Sequence, residues 1–105
     1  MLIYNTTFHV EERFLQQFLC FVKDEYFPAV ARGGYLQNPR LVHLLGDVGE
    51  GLYGYAVMAE CEGDILALKK WRLETGNALI ARLQQQFGTN VLSFSTTMKV
   101  ILPNP

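Results

Sequence analysis

Residues 2–10 read LIYNTTFHV and residues 91–102 read VLSFSTTMKVIL, and both stretches carry one pattern. Leu2, Tyr4, Phe8 and Val10 alternate with Ile3, Asn5, Thr7 and His9, whereas Leu92, Phe94, Met98, Val100 and Leu102 alternate with Ser93, Ser95, Thr97 and Lys99. Successive strand side chains point to opposite faces, so each terminal segment has an apolar face and a small, polar one. Both are predicted strands.

Between them the periodicity becomes helical. From Glu11 to about Phe27, a rotation of 100° per residue gathers Phe14, Leu15, Phe18, Leu19, Phe21, Val22 and Tyr26 on one side. Arg13, Gln16, Gln17, Lys23 and Asp24 fall on the other side, and Cys20 with them, which predicts an accessible thiol. Pro28 lacks an N–H, so the helix should kink or restart there, and Gly33-Gly34 should end it. Arg40 to Leu45 and Leu52 to Cys61 read as two strands joined by the acidic loop from Gly46 to Gly51. Asp64 is a candidate N-cap for a second helical region reaching Phe87. Its apolar stripe shifts between Leu68 and Trp71 on one hand and Ile80, Leu83 and Phe87 on the other, which predicts a break near Thr75-Gly76-Asn77. Gly88 closes that region, and Pro103 and Pro105 stop the last strand near Leu102.

The order strand, helix, strand, strand, helix, strand is the split βαβ arrangement of α+β ferredoxin-like domains. Right-handed crossovers give the antiparallel sheet order 4-1-3-2, with both helices on one face. The covered face should hold the apolar residues of both terminal strands together with Tyr55, Val57 and Ala59. Asn5, Thr7, His9, Met58, Glu60, Ser93, Ser95, Thr97 and Lys99 should then share the uncovered face, which is the candidate ligand or interface surface. Trp71 lies off the main stripe, so it belongs to the core or to the rim of that surface. Met58, Ile3 and Ile101 make the face too apolar for water alone, and a homodimer packed sheet against sheet would bury them.

Composition restricts the function. At 105 residues the chain is expected to form one domain, 1–105, which at this size buries roughly two-thirds of its unfolded surface. Half of it is hydrophobic, which excludes a disordered class. Nine basic and ten acidic residues give a net charge of −1, and the basic residues are scattered, so no nucleic-acid partner is expected. No apolar run approaches the roughly 20 residues of a membrane span, and no secretory pattern opens the chain; a cytoplasmic location is expected, with Cys20 and Cys61 as free thiols.

The chemical motifs are sparse. The loop from Gly46 to Gly51 lacks a Gly-Lys-Ser/Thr ending and carries Asp47 and Glu50, which would repel phosphate. His43 stands apart from any Cys or His, which leaves a metal site without support, and Ser93 and Ser95 lack the glycine elbow of a hydrolase nucleophile. No catalytic residue, metal or cofactor is assigned.

Ile3-Tyr4-Asn5-Thr6-Thr7 with His9-Val10, Asn38-Pro39-Arg40, Trp71 with Glu74-Thr75-Gly76, Phe87-Gly88 and Val91-Leu92-Ser93-Phe94-Ser95-Thr96 occur in an order and spacing that resembles the domain-of-unknown-function family 4286. The resemblance covers nearly the whole chain. It implies a small bacterial protein of ferredoxin-like fold, related to the dimeric α/β-barrel group, and it brings no activity. Haem-degrading members of that wider group use an asparagine, a tryptophan and a ligating histidine. Under that resemblance Asn5 and Trp71 are only loose stand-ins for the first two, without a motif-level match, and no histidine follows His43. The expectation is a homodimeric, non-catalytic module that binds a partner or small ligand across its open sheet face. The alternative is a small oxygenase or isomerase-like enzyme with a pocket around Asn5 and His9.

Overall fold

The structure, a computed structural model, describes residues 1–103; Pro105 lies outside them. Strand β1 (Leu2–Glu11) leads through a 3-10 turn into α1 (Leu15–Phe21), a π-helical turn (Val22–Tyr26) and α2 (Phe27–Gly33). Strands β2 (Gln37–Leu44) and β3 (Leu52–Cys61) form a hairpin, followed by α3 (Ile65–Trp71), a second π turn (Arg72–Gly76), α4 (Asn77–Phe87), a 3-10 turn and β4 (Val91–Lys99). The antiparallel sheet has the order β2-β3-β1-β4, with the helices packed on one face. This is the ferredoxin-like α+β architecture.

The chain explains the helix breaks. Phe27 donates its N–H to the Val22 carbonyl five residues back, so the π turn immediately precedes Pro28, which sits in the first turn of α2 where its missing N–H costs nothing. Gly34, at φ 74°, ends that arm in the left-handed conformation. In the second arm, Asp64 accepts from Leu66 N–H (3.0 Å) and Ala67 N–H (3.2 Å), satisfying two orphan donors of α3. The shift of apolar phase after Trp71 is taken up by a π turn, whose extra residue rotates the following helix by about 100° relative to a continuous α-helix. Leu79, Leu83 and Phe87 thereby join Leu68 and Trp71 in the core, against Phe8, Val10, Phe18 and Val57.

Registers decide which residues share a face. Opposite β1 stand Tyr55, Val57 and Ala59 of β3, each across from an even-numbered β1 residue, so these sit on the covered face as expected. In β4 the expectation is reversed. Tyr4 pairs with Thr97, Thr6 with Ser95 and Phe8 with Ser93, and directly opposed residues lie on the same side of a sheet. Ser93, Ser95, Thr97 and Lys99 therefore lie on the helix side, whereas Leu92, Phe94 and Met98 lie on the open face beside His9, Thr7 and Ile3.

Burial supplies the reason. Of β4 only Val91 is buried, so this edge strand runs along the rim of the helix layer, where water reaches its hydroxyls. Ser95 also meets a polar core partner, since its Oγ lies 3.0 Å from Oγ1 of the fully buried Thr6. The strand ends at Lys99 rather than near Leu102. At the other edge, β2 begins three residues earlier than expected, and a bulge with Asn38 at φ 53° lets pairing resume at Arg40.

Candidate functional site

Two surfaces gather the residues singled out from the sequence. The first is the open sheet face, which holds Asn5, Thr7, His9, Met58 and Glu60 together, as expected. Asn5 Nδ2 donates to Thr7 Oγ1 at 3.1 Å, and the His9 ring stands edge-on to Phe94 with centroids 5.8 Å apart. Glu60 is held by Arg40 and Asn38, each with a nitrogen 3.4 Å from its carboxylate. Ile3, Val42, Leu44, Met58, Leu92, Phe94 and Met98 surround this centre. Leu92 and Phe94 are each more than half exposed (53% and 55%). The face is thus a small polar floor with a broad apolar border.

Four cavities of a few hundred Å³ among the described residues have neither Asn5 nor His9 in their lining. These lie around Cys20 between α1 and α4, at the hairpin tip near Asp47, beside Arg82, and along α4 and β4. His9 and Thr97 do not meet, because His9 pairs with Leu92 and Thr97 sits on the other face. Trp71 is neither rim nor interface. It is 1% exposed within the helix layer, edge-on to Tyr4 at 5.8 Å, so Asn5 and Trp71 stand on opposite sides of the sheet and do not form one site.

The second surface was not foreseen. A groove of 330 Å³ runs between α4 and β4 on the helix side, lined by Tyr4, Arg72, Gly76, Asn77, Ile80, Ala81, Gln84, Ser93, Phe94 and Ser95. Ser93 and Ser95, expected on the open face, belong here. Arg72 places its guanidinium 5.7 Å from the centre of the Tyr4 ring. Behind Ser95, Tyr26 Oη donates to Thr6 Oγ1 at 3.2 Å, and Thr6 Oγ1 lies 3.0 Å from Ser95 Oγ. Burial raises the Tyr26 pKa from 10.0 to about 12, outweighing the lowering effect of its bond to Thr6, so the phenol remains a donor. The available sequence signal was Thr6, a polar residue on the apolar side of β1, which needs a polar partner from a neighbouring strand.

Residues 1–101 match a family model described as a domain of unknown function, DUF4286. The chain belongs to the DUF4286 family. No curated protein sequence matches this DUF4286 chain. Several solved structures share its fold. HapK from Hahella chejuensis is 13% identical with a TM-score of 0.70, covering 100% of this chain and 97% of its own. An ethyl tert-butyl ether d (ethd) family protein from Bacillus halodurans is 12% identical with a TM-score of 0.67, covering 96% and 100%. A protein from an uncultured marine organism, described as a dimeric ferredoxin-like protein, is 15% identical with a TM-score of 0.57, covering 96% and 95%. At these identities the likeness carries the fold and no activity. Among the described residues of this DUF4286 protein, no helix is long and apolar enough to cross a membrane.

Proposed function

We propose that this DUF4286 chain is a homodimeric binding module whose two copies pack through their open sheet faces, each presenting Asn5, Thr7 and His9 to the shared interior. The observation that carries this reading is the outward orientation of β4, which puts Leu92, Phe94 and Met98 on the same face as Ile3 and Met58. A monomer would leave that apolar border in water, and a contiguous exposed patch of this kind marks an interaction surface. A second copy offers a matching sheet of the same composition, and a two-fold contact is self-complementary by construction. Similarity to structures described as dimeric ferredoxin-like proteins adds support.

The module binds rather than catalyses in this reading. Asn5 is engaged by Thr7 and His9 by Phe94, and the acidic residue Glu60 is neutralised by Arg40. A small ligand enclosed between the sheets would meet hydroxyl, amide and imidazole groups above an apolar wall. Light scattering of the purified protein at micromolar concentration tests the assembly. A mass of twice 11.9 kDa is expected, and a mass of 11.9 kDa contradicts it.

A further inference from the structure

We propose that the groove between α4 and β4 is a binding site for a small organic carboxylate. It lies on the helix side of the sheet, so the proposal does not depend on how the open faces pair. Among the ten lining residues there is one cation, Arg72, and no acidic side chain, while Asn77, Gln84, Ser93 and Ser95 supply neutral polar groups. Arg72 takes part in none of the ion pairs among the described residues; its guanidinium lies over the Tyr4 ring at 5.7 Å. Tyr4, 6% exposed, lines the groove and offers its ring to that guanidinium. An arginine without an ion pair, on the wall of a groove whose other polar groups are all neutral, is a cation open to an anionic acceptor.

The fold builds this arrangement. On a regular helix Arg72 and Asn77 would be separated by about 140°. The π turn bonds Asn77 N–H to the Arg72 carbonyl and stacks the two residues, so both border the groove. Widened turns of this type occur frequently at functional sites. Ser95 is fixed from behind by Thr6 and Tyr26, which directs the free capacity of its hydroxyl toward the groove.

The charge count selects the ligand class. A planar guanidinium fork matches a carboxylate through two parallel hydrogen bonds, and one cation balances one negative charge. A phosphate dianion would seek further cations or a cluster of free backbone N–H groups, and the lining contains no second Lys or Arg. A divalent metal would need acidic or histidine ligands, which the lining lacks. Ile80 and Ala81 offer apolar wall to the body of the ligand, and 330 Å³ suits a small one.

Benzoate, benzamide and inorganic phosphate, each titrated into isotope-labelled protein and followed by amide NMR, test the site. Benzoate is expected to give saturable shifts at Asn77, Gln84, Ser93 and Ser95. Benzamide, its uncharged analogue, is expected to bind at least about tenfold more weakly, as the loss of a charge-assisted pair predicts, and phosphate likewise, because the lining offers no second cation. Arg72→Gln should weaken benzoate by at least about tenfold while the spectrum remains that of the folded protein, and Arg72→Lys should fall between, because it keeps the charge and loses the fork. Absence of saturable benzoate shifts at millimolar ligand, equal binding of benzamide, tighter binding of phosphate at the same resonances, or unchanged affinity in folded Arg72→Gln would each overturn the proposal.

Discussion

Trp71 sits between two glycines that have no room for a methyl group. A Cβ at Gly76 would come within 2.6 Å of Trp71 Cζ3, and one at Gly33 within 2.5 Å of Cδ1. Helix propensity alone would favour Gly76→Ala by about 1 kcal/mol, but forcing a methyl group into a packed core costs about 1–3 kcal/mol. The clash wins, so Gly76→Ala should lower stability in denaturant melts, and Trp71→Phe combined with it should recover part of that loss despite being destabilising alone. A second residue-scale effect follows from Tyr26. Its phenol is held neutral in the fold, with the pKa raised to about 12 against 10.0 in the unfolded chain. A raised folded pKa gives stability that is complete below about pH 10 and is lost as pH rises through about 12. Denaturant melts across that interval should show a fall in stability that Tyr26→Phe removes; an identical fall in the variant would assign it to other groups.

The helical arms are joined to the sheet by caps and π turns whose effects can be measured separately. Asp64→Ala, which removes the acceptor for Leu66 N–H and Ala67 N–H, should cost about 1 kcal/mol in a thermal melt. The positions of these features were legible in the chain. Asp64 before an apolar period marked the start of α3, the rotation of the stripe after Trp71 marked the second π turn, and Pro28 marked the first. The face of β4 was not legible. Alternation divides a strand into two sides without saying which side the helices cover, and that choice is made by the register with β1 and by the rim position of the strand. The apolar set of β4 lacks a helix to pack on, so the usual equation of apolar with covered fails there. Thr6 was the clue, since its bond to Ser95 is compatible only with hydroxyls of β4 on the helix side. The groove is not legible in the sequence for the same reason, because its residues come from β1, the second π turn, α4 and the strand whose sides only the register fixes.

At the scale of the whole molecule, the exchange of sides in β4 gives the two faces of the sheet different tasks. The helix side holds the core and, along its rim, a polar groove; the open side has a small polar centre within an apolar border. The second copy proposed to cover that border should be sensitive to charge on one side of β4 and indifferent to it on the other. Phe94 and Thr97 are both exposed, three residues apart on the same strand, and they point to opposite faces. The molar mass of Phe94→Glu and Thr97→Glu by light scattering, with circular dichroism to verify folding, is therefore the most direct measurement. The account predicts a folded monomer for Phe94→Glu and an unchanged dimer for Thr97→Glu; a dimeric Phe94→Glu, or a Thr97→Glu that dissociates while folded, would contradict it.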